Sequence, residues 1–173
     1  MVDLETLGNG SNAVIVSIGA VEFDNLGVGR EFYALIDPQS CVDIGMQIDA
    51  STVLWWMKQP DDARKALTAG GHVPIKEALF AFTNWMREVE AAYVWGNGAT
   101  FDNVILANAY RKADIPQPWK YYNDRCYRTL KNLYPTVEQP ADIGTAHNAL
   151  DDAKWQAQHA VNIINYIYGR NFA

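Results

Sequence analysis

Cysteine is scarce in this chain. Cys41 and Cys126 are the only two among 173 residues, and their placement has no metal-ligand spacing, which argues against a zinc module or a disulfide framework. Two free, buried thiols in a reducing cytoplasm are the expectation. Long apolar runs are missing too: the longest mostly apolar stretch, residues 13–21, contains Ser17 and Gly19 and falls far short of the roughly 20 residues that span a bilayer. Nor does the chain open with the basic, apolar and small-residue succession of a signal peptide, so nothing supports export. Positive charge is the third shortage, with 14 Lys and Arg against 20 Asp and Glu and a net charge of −6. A molecule of that sign does not as a whole attract phosphate backbones, which argues against an extended duplex-binding face. A site that takes one short strand end, with its own local basic residues, stays compatible. Internal repeats and low-complexity tracts are also absent.

What is present is a globular balance, 49% hydrophobic and 20% charged, in a length that suits a single domain over residues 1–173. Residues 1–6 read as a strand that begins abruptly: Asp3 follows only two residues, whereas a central strand usually runs about five to six. Either chain lies upstream or this strand is short. Residues 13–24 are β-branched and read as a long strand with Gly19 as a bulge candidate. A turn over residues 25–29 leads to a third strand at 31–37, and three strands with short connections make an antiparallel meander. Residues 38–50 read as a loop, with Ser51 capping a short helix through Trp55 and Trp56 that Pro60 ends. A second short helix at 61–69 closes at Gly70 and Gly71. Helical spacing returns over residues 74–90, a short strand over 93–95, and a helix over 101–112. Residues 119–122 suggest another strand, and Asp124 a cap for a helix running to Tyr134. Residues 135–145 read as irregular. A long last helix over residues 148–168 carries Ala149, Ala153, Ala157, Ala160, Ile164 and Ile167 on or near one face. The expected class is α/β: a mixed sheet with helices packed on it.

Three segments carry chemistry. On a strand, Asp3 and Glu5 point to one face while Val2 and Leu4 point to the other, and two anions held together suit a divalent cation that takes oxygen ligands; a solvated acidic face is the alternative. Asp102 follows the strand and the Gly96-Asn97-Gly98 turn, where ligands of open α/β sheets collect, although a first-turn acid also complements a helix dipole. His147 and Asp152 are five residues apart, a rotation of about 140° on a helix, so they converge only if His147 lies in the loop before it.

In order and type, Asp3-x-Glu5-Thr6, Asp102 after an apolar strand, and His147-x-Ala149-x-x-Asp152 resemble the DEDDh branch of the DnaQ-like 3′-5′ exonucleases, over almost the whole chain. The wording around them is similar to that of phage and prophage exodeoxyribonucleases, some labelled exonuclease VIII, and of an Rv-type exoribonuclease-like group. The sister branch places a Tyr where His147 stands, and no Tyr near the C-terminus has the acidic partner that would require.

The resemblance implies an RNase H-like five-stranded sheet, in which an antiparallel meander is joined by two parallel strands. It also implies a catalytic set of Asp3, Glu5, Asp102, His147 and Asp152. Asp3, Glu5 and Asp152 would hold one divalent ion; Asp3 would bridge to a second near Asp102, the ions being Mg²⁺ or Mn²⁺. His147 would be the general base, since imidazole, with an ordinary pKa of about 6.5, takes protons near neutral pH. The implied activity is stepwise release of 5′-nucleoside monophosphates from single-stranded 3′ ends, DNA favoured over RNA, in the cytoplasm of a bacterial or phage-infected cell. No membrane is involved, and the chain acts as a monomer or a homodimer. An exoribonuclease of the same branch and a catalytically silent nucleic-acid-binding relative are the alternatives.

Candidate substrate contacts are Leu4, Thr6, Trp56, Asn97, Phe101 and Arg128. Leu4 and Phe101 flank the carboxylates, with core packing as their other reading. Trp55 and Trp56 must point differently, one to the core and one to a base. Between residues 111 and 131, Arg111, Lys112, Lys120, Arg125, Arg128 and Lys131 interleave with Trp119, Tyr121, Tyr122 and Tyr127, a mixture that suits single-strand binding or, equally, core packing and helix-end charge.

Overall fold

A computed structural model describes residues 1–141, 144 and 147–171, the last two of these by backbone alone. Five strands, β1 (Val2–Thr6), β2 (Ile15–Phe23), β3 (Val28–Leu35), β4 (Val94–Gly96) and β5 (Asp124–Cys126), form one sheet in the order β3-β2-β1-β4-β5. The first three pair antiparallel, while β4 runs parallel to β1 and β5 parallel to β4. This is the RNase H-like mixed sheet. Among the described residues seven α-helices accompany it: α1 (Pro38–Asp43), α2 (Ala50–Trp56), α3 (Asp61–Thr68), α4 (Ile75–Glu88), α5 (Asp102–Ala113), α6 (Tyr127–Leu133) and α7 (Ala149–Asn171).

Strand alternation divides the core. Val2 and Leu4 of β1 join Ile18, Ala20, Phe82 and Leu106 in the larger apolar cluster, shared with α4 and α5. On the opposite face Met1 and Val21 pack with Tyr127 and with Ala153, Ala157 and Ala160 of α7. The alanine stripe has the helical spacing that lets a long helix lie flat on a sheet. Ile163 is fully buried in the position expected of Ile164, which is half-buried. The start of β1 is held by a reciprocal pair: the Met1 amine donates to the Val21 carbonyl at 2.7 Å, and Val21 N–H donates to Met1 O at 2.9 Å.

Several local expectations are corrected. The 38–50 stretch contains α1, which starts on Pro38 with the Asp37 side chain accepting from Gln39 N–H at 3.0 Å, an Asp-Pro start that suits a helix. Asp49 rather than Ser51 precedes α2, and its carboxylate accepts from Asn9 N–H at 2.9 Å. Residues 119–122 are not a strand. Trp119 is buried, a single 3₁₀ turn covers Tyr121–Asn123, and the edge strand is β5. Asp124 therefore caps no helix; it accepts from Asn103 Nδ2 and from Trp119 Nε1, both at 2.9 Å, tying α5 to the sheet edge. Gly19 is not a bulge: it pairs in register with Asp3 and with Tyr33. A Cβ there would lie 2.1 Å from the Ala149 carbonyl carbon, so the glycine is what allows α7 to touch the sheet. Of the irregular stretch expected at 135–145, residues 142, 143 and 145 lie outside the described residues; 135–141 contain no helix or strand. Both cysteines are free, Cys41 buried and Cys126 half-buried.

Candidate active site

Directly paired residues of neighbouring strands share a face, so Asp3 and Gly19, like Glu5 and Ser17, lie on the side of the sheet that α7 covers. Because Gly19 has no side chain, the first turn of α7 lies against β2, and this brings Asp152 and Gln156 over the β1 carboxylates. Asp102 enters from the other direction. β4 ends at Gly96, the chain reverses through Gly98 at φ 118°, where Phe101 N–H donates to Gly98 O at 2.7 Å, and α5 begins on Asp102. Parallel pairing of Val2 with Gly96 places this turn beside β1, where Leu4 N–H donates to the Asp102 carboxylate at 3.3 Å.

His147 sits in the turn before α7 with φ 64°, the loop position that convergence with Asp152 requires. Its backbone N–H donates to Asp152 Oδ2 at 3.1 Å. Ligand atoms of Glu5, His147 and Asp152 all lie within 4.8 Å of one another. Asp3, Glu5, Asp102, His147 and Asp152 thus line one cavity of about 350 Å³, together with Leu4, Asn97, Phe101, Arg128, Trp155 and Gln156.

Four carboxylates in one partly dry space resist ionisation. Burial, then the charges of Asp102 and Glu5, push Asp3 well above its ordinary range. Glu5, 7% exposed, is pushed up to about 8 by burial and by Asp152 and Asp102. Burial raises Asp102 to about 6, against the lowering effect of N–H groups and of Arg128. Burial also raises Asp152, which the His147 N–H and ring partly offset. Among the described residues the salt bridges involve none of these four. The donor set is therefore acidic, oxygen-rich and electrostatically unbalanced, and fits hard divalent cations.

A second hollow of about 410 Å³ adjoins the first through Leu4, Glu5 and Phe101, and is walled by Thr6, Asn9, Ser51, Thr52, Trp55 and Trp56. Trp56 is the buried indole, its Nε1 donating to Thr6 O at 2.9 Å. Trp55 is 44% exposed, with its ring 5.1 Å from the His147 ring in an edge arrangement. The accessible aromatic face therefore belongs to Trp55 and not to Trp56, although both line the hollow. Thr6 is buried and its hydroxyl donates to Gly8 O at 2.8 Å. Arg128 is exposed and donates to Asn97 O at 2.6 Å, close to Asp102.

The basic and aromatic stretch divides. Trp119 and Tyr127 are core, Tyr127 donating or accepting a 2.7 Å bond with buried His159. Tyr121 and Tyr122 are exposed, Lys120 lies over the Tyr122 ring, and Arg125 lies 4.3 Å over Tyr93. Sequence reasoning missed Trp55 as the exposed indole and missed Gln156 altogether; the only available signal for Gln156 was its place four residues after Asp152.

Residues 1–164 match the family described as the 3′-5′ exoribonuclease Rv2179c-like domain. The chain is also 24% identical over 157 residues to the exodeoxyribonuclease of Enterobacteria phage T4, covering 75% of this chain and 68% of that protein. With the fold, these matches place the chain in the Rv2179c-like 3′-5′ exonuclease family, a family of phosphodiester-hydrolysing nucleases.

Proposed function

We propose that this chain, as one exonuclease domain, removes nucleotides from the 3′ end of single-stranded nucleic acid by a mechanism that depends on two divalent cations, Mg²⁺ or Mn²⁺. The observation that carries the reading is the convergence of Asp3, Glu5, Asp102, Asp152 and His147 on one cavity, where burial raises the pKa of each carboxylate. Asp3, Glu5 and Asp152 would hold one cation, and Asp3 with Asp102 the other. Bound there, the cations supply positive charge against the negative charge that builds on the attacked phosphate.

The chain's own residues do the rest. His147 takes and holds the proton of the attacking water, with Trp55 packed against its ring. Phe101, at the junction of the two hollows, seats the terminal nucleotide against Trp55, while Leu4, buried in the core, backs that junction and Trp56 stiffens the wall through Thr6. Arg128, fixed by Asn97 O, offers its remaining donors to a phosphate. Farther along the β5 edge, the exposed rings of Tyr121, Tyr122 and Tyr93 with Lys120 and Arg125 suit stacking and phosphate contact with an incoming strand.

DNA is the proposed substrate, consistent with the phage relative's name; the family's description favours RNA as the second reading. Labelled DNA and RNA oligomers of one sequence, incubated with Mg²⁺ or Mn²⁺, decide between them. Wild type shortens the preferred strand stepwise from its 3′ end, and Asp152→Asn does not. If neither polymer is shortened and Asp152→Asn binds oligomers no differently, the nuclease reading of this site fails.

A further inference from the structure

We propose that Gln156 is a positioning residue for the Asp3 carboxylate, setting its orientation for cation binding; the proposal rests on the metal-dependent reading of the site given above. Gln156 follows Asp152 by four residues on α7, so both side chains leave the same face of the helix. It is 4% exposed, and its Nε2 donates to Asp3 Oδ1 at 2.8 Å across the sheet-to-helix interface. Among the described residues this is the one hydrogen bond made to that carboxylate.

A buried primary amide is expensive to place unless its polar atoms are partnered. Among the described residues the buried Gln156 Oε1 has no partner, so within them the amide does not complete its own hydrogen bonding, and an apolar side chain of the same size would pack here with less desolvation. What the amide does supply is a donor to the most crowded anion of the site. Engaging Oδ1 restrains the Asp3 side-chain torsion and leaves Oδ2 for a cation. Outer partners of this kind typically govern ligand affinity by about 10- to 100-fold.

The test is calorimetric titration of Mn²⁺ into wild type, Gln156→Met and Gln156→Leu, with thermal unfolding of each in chelator. Both variants are expected to fold and to bind Mn²⁺ about 10- to 100-fold more weakly. Raising Mn²⁺ should restore their turnover while the KM for oligonucleotide stays at the wild-type value, a pattern that a packing role does not produce. A folded variant that binds Mn²⁺ as tightly as wild type overturns the proposal and leaves the metal reading intact. Failure of both variants to fold in chelator also overturns it, because Gln156 would then hold the structure and not the ligand. Wild type that takes up no Mn²⁺ removes the metal reading, and this proposal with it.

Discussion

Replacing Glu5 by Gln should make the metal-free protein more stable at neutral pH. Glu5 is almost fully buried, and its carboxyl is raised from 4.5 to about 8, first by burial and then by Asp152 and Asp102. A group with a folded pKa above its unfolded value contributes stability that is complete below the unfolded pKa and is lost as pH rises through the folded one. Between pH 4.5 and pH 7 the unfolded chain can release this proton while the folded one keeps it, at about 1.4 kcal/mol per pH unit, or about 3 kcal/mol in all. Glutamine has the same shape and no proton to lose. In chelator, urea unfolding of Glu5→Gln should therefore exceed wild type by about 3 kcal/mol at pH 7 and converge with it near pH 4. At this chain length the same difference raises Tm by roughly 6 to 12 °C. Mn²⁺ should reverse the order, because wild type then binds a ligand in the folded state that the variant has lost. Cation binding by wild type at pH 7 should also release protons, measurable as a dependence of the calorimetric heat on buffer ionisation enthalpy. A Glu5→Gln variant no more stable than wild type at pH 7, or one whose advantage is the same at pH 4, would refute the electrostatic account of the site.

The other expectations concern the walls around this centre. Gly19→Ala inserts a methyl group 2.1 Å from the Ala149 backbone; it should lose at least roughly 1 to 3 kcal/mol on unfolding and weaken Mn²⁺ binding as well, because Asp152 and Gln156 ride on the displaced turn. Trp55→Ala should lower kcat/KM about tenfold, in line with the roughly 1 to 3 kcal/mol a base-stacking ring supplies, while Trp55→Phe keeps most of the activity; equal activity of Trp55→Ala and wild type removes the ring from the site. Tyr121→Ala combined with Tyr122→Ala should raise KM for long oligomers and leave dinucleotide turnover unchanged, and a length-independent effect would count against a strand-binding edge.

The parts of the fold legible in the sequence were those with a period long enough to repeat. Nine residues of β2 and the alanine spacing of α7 each announce their own geometry. β5 has three residues and no alternation to detect. Its position comes from long-range ties, Asn103 and Trp119 converging on Asp124, which override the apparent β propensity of the aromatic residues before it. The same limit divided the aromatic and basic stretch: its composition is uniform, but Trp119 and Tyr127 are drawn into the core while Tyr121 and Tyr122, on a single 3₁₀ turn, are left outside. α1 carries a local signal, the Asp37-Pro38 start, but its six residues are too few for hydrophobic spacing to support that cap.

The site was legible for a different reason. Its carboxylates come from three elements, and each position has a local meaning: alternate residues of a strand, the first residue of a helix after a glycine turn, the first turn of the last helix. What local meaning cannot supply is the separation between those elements, and that separation is decided at Gly19. With any side chain there, α7 would stand off the sheet and Asp152 would move away from Asp3 and Glu5; with none, the helix backbone meets the strand and Gln156 reaches Asp3 across the contact. Gly19, a bulge candidate by sequence, is thus the residue that sets the width of the carboxylate cage. Because the close approach also desolvates Asp3 and Glu5, the packing that builds the cage is the same packing that raises their pKa values, so the proposed affinity for a cation and the expected loss of apo stability at neutral pH have one structural cause.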